Sequence, residues 1–133
     1  MACANLSQRH QQPQQAFGVT ELILSASQPQ HMAMVLPMIA QLVRSNNNRW
    51  LSWITTKPLD RSVLLAAGID ISRLRFIYAQ QSDDTCWITW EALRSGTSHT
   101  VIATPGILSS KALQQLEEAA RIGKSQGLLL RAR

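Results

Sequence analysis

The side chains best suited to molecular recognition are concentrated in one stretch of the sequence, RWLSWITTKPLDR. Arg49 precedes Trp50 and Trp53, and two further basic residues, Lys57 and Arg61, follow them. Cationic groups beside aromatic rings are typical of single-stranded nucleic-acid binding, because the cations meet phosphates and the rings stack on bases. Arginine and tryptophan are also enriched at the centres of protein–protein interfaces. The stretch therefore raises two possible kinds of binding site.

The charge of the chain favours an acidic partner. Its 13 basic and 8 acidic residues give a formal charge of +5. The segment 44–75 holds six of the basic residues, Arg44, Arg49, Lys57, Arg61, Arg73 and Arg75, against Asp60 and Asp70. Such an excess attracts an acidic protein or a nucleic acid, and charge alone does not decide between them. Solvated arginines with no partner remain the alternative.

The residue patterns of common enzymes are missing from the sequence. The turn expected after the first strand, SASQPQH, has no glycine and no lysine, so it cannot form a phosphate-binding loop. His10, His31 and His99 stand far apart, without a cysteine or carboxylate at ligand spacing, and are expected at the surface or at strand ends. We therefore predict a protein that is not an enzyme and uses no cofactor and no metal.

The two cysteines, Cys3 and Cys86, do not form a disulfide framework and are expected to be reduced thiols. No apolar run reaches the roughly 20 residues of a membrane span, and the first residues lack the order of a signal peptide. A cytoplasmic protein without membrane association is predicted. Residues 1–17 are polar and glutamine-rich, which predicts a disordered tail before a single domain at 18–133.

Strand and helix patterns alternate along this domain. We predict strands at 18–26, 49–55, 73–79, 99–104 and 128–132, and helices at 31–48, 61–67, 83–95 and 111–124. The alternation favours an α/β fold with three layers: a mostly parallel sheet covered by helices on both faces.

Local signals add several expectations. Pro37 predicts a kink in the first long helix or a helix beginning just before it. Asp60 and Ser82 are expected to cap helices, and Glu117 is placed to pair with Arg121 one turn later. In the second strand both tryptophans are expected in a core that covers the strand on two sides.

Several segments together resemble a known family. They are RWLSWIT, the pair Leu59 and Arg61, AAGI at 66–69, VLPMIAQL at 35–42, and ALQQLEEAARIGKSQGLLLR at 112–131. These segments are similar to those of the SulA family, bacterial inhibitors of cell division that are produced in the SOS response to DNA damage. The resemblance covers about residues 18–131, and its most specific element is the strand with the Arg-Trp-x-x-Trp pattern.

The resemblance implies a RecA-like fold without a functional phosphate loop, and a function without catalysis. Members of the family bind the division protein FtsZ on the face that carries the T7 loop, which completes the GTPase site of the next subunit. Filament assembly then stops, and GTP hydrolysis falls because it requires subunit contact. A homodimer that binds one FtsZ per subunit is also implied, and the Lon protease is a further expected partner.

The resemblance also implies site residues. Family positions associated with inhibition fall on Arg49, Ile54, Val63 and Arg73, where Ile54 replaces a leucine, Val63 a tryptophan and Arg73 a lysine. With the turn between them, the expected FtsZ-binding residues are Arg49, Ile54, Lys57, Leu59, Arg61, Val63 and Arg73. Ile54 and Leu59 are expected to provide affinity, and the basic residues to steer association. Burial of Ile54 and Val63 in the core is the competing interpretation.

Two other functions stay open at this point. A RecA-like nucleic-acid-binding module would use the basic segment 44–75, and its affinity would fall steeply with salt. A degenerate nucleotide hydrolase is disfavoured by the first turn. The leading hypothesis is an FtsZ inhibitor that binds no nucleic acid.

Overall fold

The computed structural model describes residues 17–24, 30–44, 49–56 and 59–132. Nearly all of the predicted tail, and Lys57 with it, lies outside these ranges. The elements in chain order are β1 (Gly18–Leu24), α1 (Gln30–Arg44), β2 (Trp50–Thr55), α2 (Arg61–Ala66), a 3-10 turn (Ile71–Arg73), β3 (Leu74–Tyr78), α3 (Ser82–Ser95), β4 (Ser98–Ala103), α4 (Ser110–Gly123) and β5 (Gln126–Ala132).

The five strands form one sheet in the order β1-β5-β4-β2-β3. Every pairing in it is parallel, as in β2, where Trp53 pairs with Phe76 of β3 and with Ile102 of β4. Parallel neighbours need crossover connections, which the helices supply. β1 and β3 are the edge strands. The predicted α/β class is confirmed, with the sheet wholly parallel among the described strands.

Each face of the sheet is covered by a pair of helices. Leu51 and Trp53 of β2 pack in a cluster with α1 and α2, whereas Ile54 packs in a second cluster with α3 and α4. Successive side chains of a strand point to opposite faces, so a strand between two helical layers is apolar on both sides. The three layers predicted from the sequence are therefore present.

The helix ends follow the predicted chemistry with one exception. Asp60 caps α2, its carboxylate accepting from the Ser62 amide at 2.9 Å. Glu117 pairs with Arg121 at 3.4 Å, as expected. The prediction for Ser82 was wrong, because α3 begins at Ser82 itself and the residue before it, Gln81, occupies the cap position without a side-chain hydrogen bond.

Pro37 lies well inside α1, which begins at Gln30. The expectation that this helix starts just before the proline was therefore wrong. The last part of the predicted helix, 45–48, lies outside the described residues. Residues 35, 36, 39, 40 and 43 supply its buried face. Their spacing of one, three and four residues is that of a helix packed along one side.

The two tryptophans of β2 differ sharply in environment. Trp53 is buried, and its ring stacks on Phe76 with centroids 6.5 Å apart. Trp50 is 43% exposed, so the prediction that it belongs to the core was wrong. It is the first residue of β2 and bonds through its amide to the Thr97 carbonyl at 3.1 Å. Since α3 has already ended at Ser95, that helix does not extend over this end of the strand.

Candidate protein-binding site

The residues expected from the sequence fall at different places on the sheet. Arg49 stands before β2, at the edge where the strands begin. Leu59, Arg61 and Val63 follow β2, beyond the edge where the strands end. β2 has six residues, and a strand rises about 3.3 Å per residue, so these two edges are roughly 20 Å apart. Arg73 ends the turn that leads into β3 and so returns to the edge on which Arg49 lies.

Ile54 lies in the core. It has 0% exposure and packs with side chains of α3 and α4, among them Leu93 and Leu116. Its neighbours in the sheet are Ile77 and Ala103, which complete the enclosure. The expectation that Ile54 touches a partner therefore conflicts with its burial, and the competing interpretation as a core residue fits the structure.

Between β2 and β3, two Asx-type turns shape the chain. The Asp60 carboxylate accepts from the Ser62 amide at 2.9 Å and its hydroxyl at 2.6 Å, and Asp70 accepts from Ser72 at 3.1 and 2.6 Å in the same way. These hydrogen bonds lower the pKa of both aspartates, the side-chain bond being the larger cause in each. Asp60 thus caps α2, and Asp70 caps the 3-10 turn that precedes β3.

Exposed apolar and cationic side chains lie on α2 and at both ends of edge strand β3. Leu64 is the buried residue of α2, whereas Val63 and Leu65 beside it are 50% and 56% exposed. The Arg61 guanidinium lies over the Phe76 ring, 5.8 Å from its centroid, a distance typical of a cation–π contact. Tyr78 at the end of β3 is also half exposed. We call these exposed residues of α2 and of the two ends of β3, namely Arg61, Val63, Leu65, Arg73 and Tyr78, the β3 margin.

Leu59 and Arg73 lie near the two ends of the connection between β2 and β3. Leu59 is partly buried against the cluster formed by α1 and α2, so most of its contribution is to packing. Arg73 is paired with Asp70 at 3.5 Å, with both side chains about half exposed. An exposed pair of this kind contributes little stability and leaves the arginine accessible.

A second group of residues, around Arg75 on the face of the sheet that α3 and α4 cover, was not singled out from the sequence. Arg75 Nε donates to Ser52 Oγ at 3.3 Å, and Arg75 Nη2 donates to Thr97 Oγ1 at 3.1 Å and Ser98 Oγ at 3.3 Å. Ser52 and Ser98 are fully buried and share a hydrogen bond of 2.6 Å. The positive count of segment 44–75 included Arg75, but nothing in that count distinguished it from its neighbours.

The Arg49 side chain crosses to the end of α4. Its Nη1 donates to the Gly123 carbonyl at 3.1 Å. A Cβ added to Gly96, in the turn between α3 and β4, would lie 3.6 Å from that same carbonyl oxygen. Arg49 and Arg75 therefore both reach the start of β4. We call Arg49, Trp50 and Arg75 the arginine–tryptophan cluster.

His99 lies at the start of β4, which agrees with the expected strand-end position, and it is buried there and not at the surface. The register of β2 against β4 shifts between Trp50 and Leu51, which pair with Ser98 and Thr100 and leave His99 as the extra residue. His99 Nδ1 lies 2.8 Å from Thr100 Oγ1. Burial lowers the pKa of His99, and the Arg49 charge lowers it further. The other two histidines lie where no side chain is described.

The part of the chain that the structure describes contains three ion pairs, Arg73–Asp70, Arg121–Glu117 and Arg131–Glu21. Arg49 and Arg75 belong to none of them and donate to uncharged oxygens instead. Their charges are thus held in place without a carboxylate within the described ranges. Neither a grouping of three metal-ligating side chains nor a helix able to span a bilayer occurs in those ranges.

A groove between α3 and α4 forms the third exposed apolar surface. Its volume is about 760 Å³, and it is lined by Trp87, Trp90, Leu116 and Ile122 together with Cys86. Trp87 and Ile122 are 62% and 57% exposed. The Arg94 guanidinium lies over the Trp90 ring at 5.3 Å. Burial raises the pKa of the Cys86 thiol, which is unpaired as predicted.

The fold defines a three-layer α/β protein with a parallel five-stranded sheet. The chain belongs to the SulA family of cell division inhibitors, since the family described as "Cell division inhibitor SulA" matches residues 18–127. The family resemblance drawn from the sequence is thereby confirmed.

Individual relatives agree with this assignment. The cell division inhibitor SulA of Pseudomonas aeruginosa is 32% identical over 113 residues, which are 84% of this chain and 70% of the relative. That of Edwardsiella piscicida is 32% identical over 120 residues, 89% of this chain and 69% of the relative. The crystal structure of SulA from Pseudomonas aeruginosa aligns with a TM-score of 0.78 at 33% identity, covering 86% of this chain and 98% of that one.

Proposed function

We propose that this chain inhibits cell division by binding FtsZ on the face that carries its T7 loop, so that the next subunit cannot add to the filament. The observation that carries the proposal is the family match over residues 18–127. The protein would act in the cytoplasm during the SOS response. FtsZ hydrolyses GTP only on subunit contact, so its GTPase would fall without any chemistry performed by the inhibitor.

The β3 margin is the surface that best supports contact with FtsZ. Val63 and Leu65 offer exposed apolar area on α2, the helix that begins with Arg61, and desolvated apolar and arginine contacts dominate interface energies. Arg73 would mainly accelerate association, as charges at the rim of an interface do. We retain Lys57 as a proposed contact. Ile54 would act indirectly, from the core between the sheet and the α3–α4 layer, by holding β2 and β3 in position.

Arg49 would contribute from the amino edge of the sheet, on which Arg73 of the β3 margin also lies. It is half-buried and bonded to Gly123, so its position is fixed before any partner arrives. A fixed guanidinium loses less side-chain freedom on binding than a mobile one. The FtsZ surface would therefore have to extend past the start of β3 to reach it.

We also propose a homodimer, in which the groove between α3 and α4 meets its counterpart. Exposed Trp87 and Ile122 supply the apolar area. Arg94 and Glu118 line the same groove with opposite charges, which suits a two-fold contact where each residue meets the other on the partner copy. Light scattering should give the mass of a dimer, and Trp87→Glu should give a monomer. Unchanged mass in that variant would exclude this surface.

Removal of the protein by the Lon protease is a further proposal that comes from the family. A longer half-life in cells that lack Lon would support it. Equal half-lives with and without Lon would contradict it.

The main proposal is tested by mixing the purified protein with FtsZ and GTP. Near-stoichiometric inhibitor should suppress both the sedimentation of FtsZ and its GTPase, while GTP binding to FtsZ stays unchanged. Arg121→Gln, an exposed change on α4 outside the proposed contacts, should inhibit like the wild type. Normal polymerisation of FtsZ in excess inhibitor would end the proposal.

Nucleic-acid binding is the second candidate function, favoured by one observation: Trp50 is exposed beside Arg49. An exposed tryptophan could stack on a base while arginines meet phosphates. Affinity for single-stranded DNA or RNA would then fall steeply as salt rises, through counterion release. A flat response to salt would remove this candidate.

A further inference from the structure

The arginine–tryptophan cluster is built unlike the rest of the charged surface. Arg75 is held by three hydroxyl groups, of which two, those of Ser52 and Ser98, have no exposure to solvent. A guanidinium has five N–H donors and no acceptor, so each hydroxyl must present a lone pair to it. The buried hydroxyls of the two serines therefore accept hydrogen bonds that orient the Arg75 side chain.

The cluster keeps charge that is ordered but not neutralised. Arg73, two residues from Arg75, pairs with Asp70, whereas Arg75 and Arg49 bind only uncharged oxygens in the described part of the chain. Hydroxyl and carbonyl oxygens orient a guanidinium without cancelling its charge. Both arginines are only half-buried, so an approaching anion can still reach them.

Trp50 follows Arg49 in the chain and pairs in the sheet with Ser98, whose hydroxyl receives Arg75. Its amide bonds to the carbonyl of Thr97, whose hydroxyl receives Arg75. Since Trp50 and Ser52 are two residues apart on one strand, the indole points to the same face as the hydroxyl that holds Arg75. The indole is 43% exposed, which leaves a large apolar surface next to fixed positive charge.

We infer that Arg49, Trp50 and Arg75 form a binding site for an acidic segment of a protein partner, in which a carboxylate meets the guanidinium groups and an adjoining apolar side chain covers the Trp50 ring. Carboxylates form paired hydrogen bonds with the planar guanidinium fork. The site lies at the amino edge of the sheet, two residues from Arg73 of the β3 margin, and on the face that α3 and α4 cover. It rests on the proposed function only if the partner is FtsZ.

A protein segment fits this site better than a nucleic acid. Single-stranded nucleic acids are bound along grooves that present a series of cations and several stacking rings. The cluster offers one exposed ring, and its neighbour Arg73 already has a carboxylate partner. Buried hydroxyls that fix one arginine in one orientation also favour a single directional contact over a track of phosphates.

The test compares two anionic probes of equal charge: a fluorescent glutamate-rich peptide, which presents carboxylates, and an oligothymidylate, which presents phosphates and bases. Binding of the peptide should weaken about tenfold or more in Arg75→Gln, Arg49→Gln and Trp50→Ala, the effect of removing a central contact. Arg121→Gln and Arg44→Gln remove the same charge elsewhere and should bind the peptide like the wild type. Arg75→Lys should fall between, since it keeps the charge but loses the fork.

Two results would overturn the site. One is equal peptide affinity in the cluster variants and in Arg121→Gln. The other is tighter binding of oligothymidylate together with a loss in Arg44→Gln, which would indicate a nucleic-acid surface spread over segment 44–75. Arg49→Gln spares the buried serines, so it remains informative if Arg75→Gln fails to fold.

The same variants measured with FtsZ separate this inference from the proposed function. Weaker FtsZ binding in the cluster variants supports both. A wild type that binds the glutamate-rich peptide but not FtsZ keeps the site and removes FtsZ as partner. Inhibition of FtsZ that survives every cluster substitution, with no difference in peptide binding, keeps the proposed function without Arg49 as a contact and removes the site.

Discussion

Ser52 of β2 and Ser98 of β4 share a hydrogen bond of 2.6 Å in which neither side chain is exposed to solvent. Both hydroxyls also receive N–H groups of Arg75. Two buried polar groups on neighbouring strands are thus satisfied by each other and by one arginine. Each member of this trio depends on the other two, because an unpaired buried hydroxyl is costly.

We expect Ser98→Ala to lower the free energy of unfolding by about 1–3 kcal/mol, since Ser52 loses its closest partner inside the sheet. Ser52→Ala should have a similar cost, and the double variant should cost less than the sum of the two, because the shared bond is lost only once. Urea denaturation of the four proteins measures this coupling. Ser110→Ala, at an exposed position on α4, is the control. Strict additivity would contradict the interpretation.

Ile54 and Val63 should affect inhibition through different causes. Ile54→Ala empties a position with no exposure and should cost about 2–5 kcal/mol of stability. Val63→Asp changes a half-exposed position, so stability should hardly change while inhibition of the FtsZ GTPase weakens. Urea denaturation and the GTPase assay, run on the same samples, separate the two effects.

Ile54→Val is the matched control, because it keeps most of the buried volume and should retain inhibition. A folded Ile54→Ala protein that has normal stability but no inhibition would instead mean that Ile54 touches the partner directly.

Gly123 allows α3 and α4 to approach closely. A Cβ at Gly123 would overlap the carbonyl oxygen of Leu93, which is backbone and cannot rotate away. We expect Gly123→Ala to cost about 1–3 kcal/mol or more through overpacking. Gly106→Ala is the comparison: there a Cβ meets no atom within 4 Å, but φ is +82°, so only local strain of about 1 kcal/mol is expected. Thermal or urea unfolding ranks the two, and the reverse order would refute this account.

The state of His99 should make stability depend on pH. Burial and the Arg49 charge lower its pKa in the folded protein below the ordinary value of about 6.5. Below pH 6.5 His99 of the unfolded chain binds a proton, whereas His99 of the folded chain stays neutral until the pH reaches its lowered pKa. The free energy of unfolding should therefore decrease as pH falls from 6.5 through the lowered pKa. Above pH 6.5, both states are neutral and His99 contributes no slope.

Urea denaturation at a series of pH values from neutral to mildly acidic tests this expectation. The part of the decrease that belongs to His99 should vanish in His99→Gln, even if that variant is less stable at every pH. An unchanged slope in the variant would assign the pH dependence to other groups.

The sequence was sufficient for the architecture because each strand and helix carries its own pattern. The apolar run of β2 and the amphipathic spacing of α4 are patterns of residues close together in the chain, so the sequence shows them directly. Caps such as Asp60 are equally local. The class of fold followed from these pieces, since alternating strands and helices have few ways to pack.

The binding surfaces depended on contacts that local patterns do not contain. Arg75 stands out only once β3 is placed beside β2, in a register that sets it opposite Ser52. Trp50 is exposed because α3 ends before covering it, and His99 is buried because the register of β4 shifts there. Ile54 looked like a contact residue from the family resemblance, yet the layer of α3 and α4 encloses it.

The pairing of β1 has a consequence for the order in which the molecule can form. β1 is an edge strand whose whole register, from Gly18 with Gln126 to Leu24 with Ala132, lies against β5. On the ribosome the first strand therefore has no place in the sheet until the last one has emerged. Such distant pairing slows folding, because the entropy of closing a long loop is lost before the contacts between the two strands can stabilise the chain. The nascent chain must wait with β1 unpaired, and the sheet closes only after synthesis has passed residue 132.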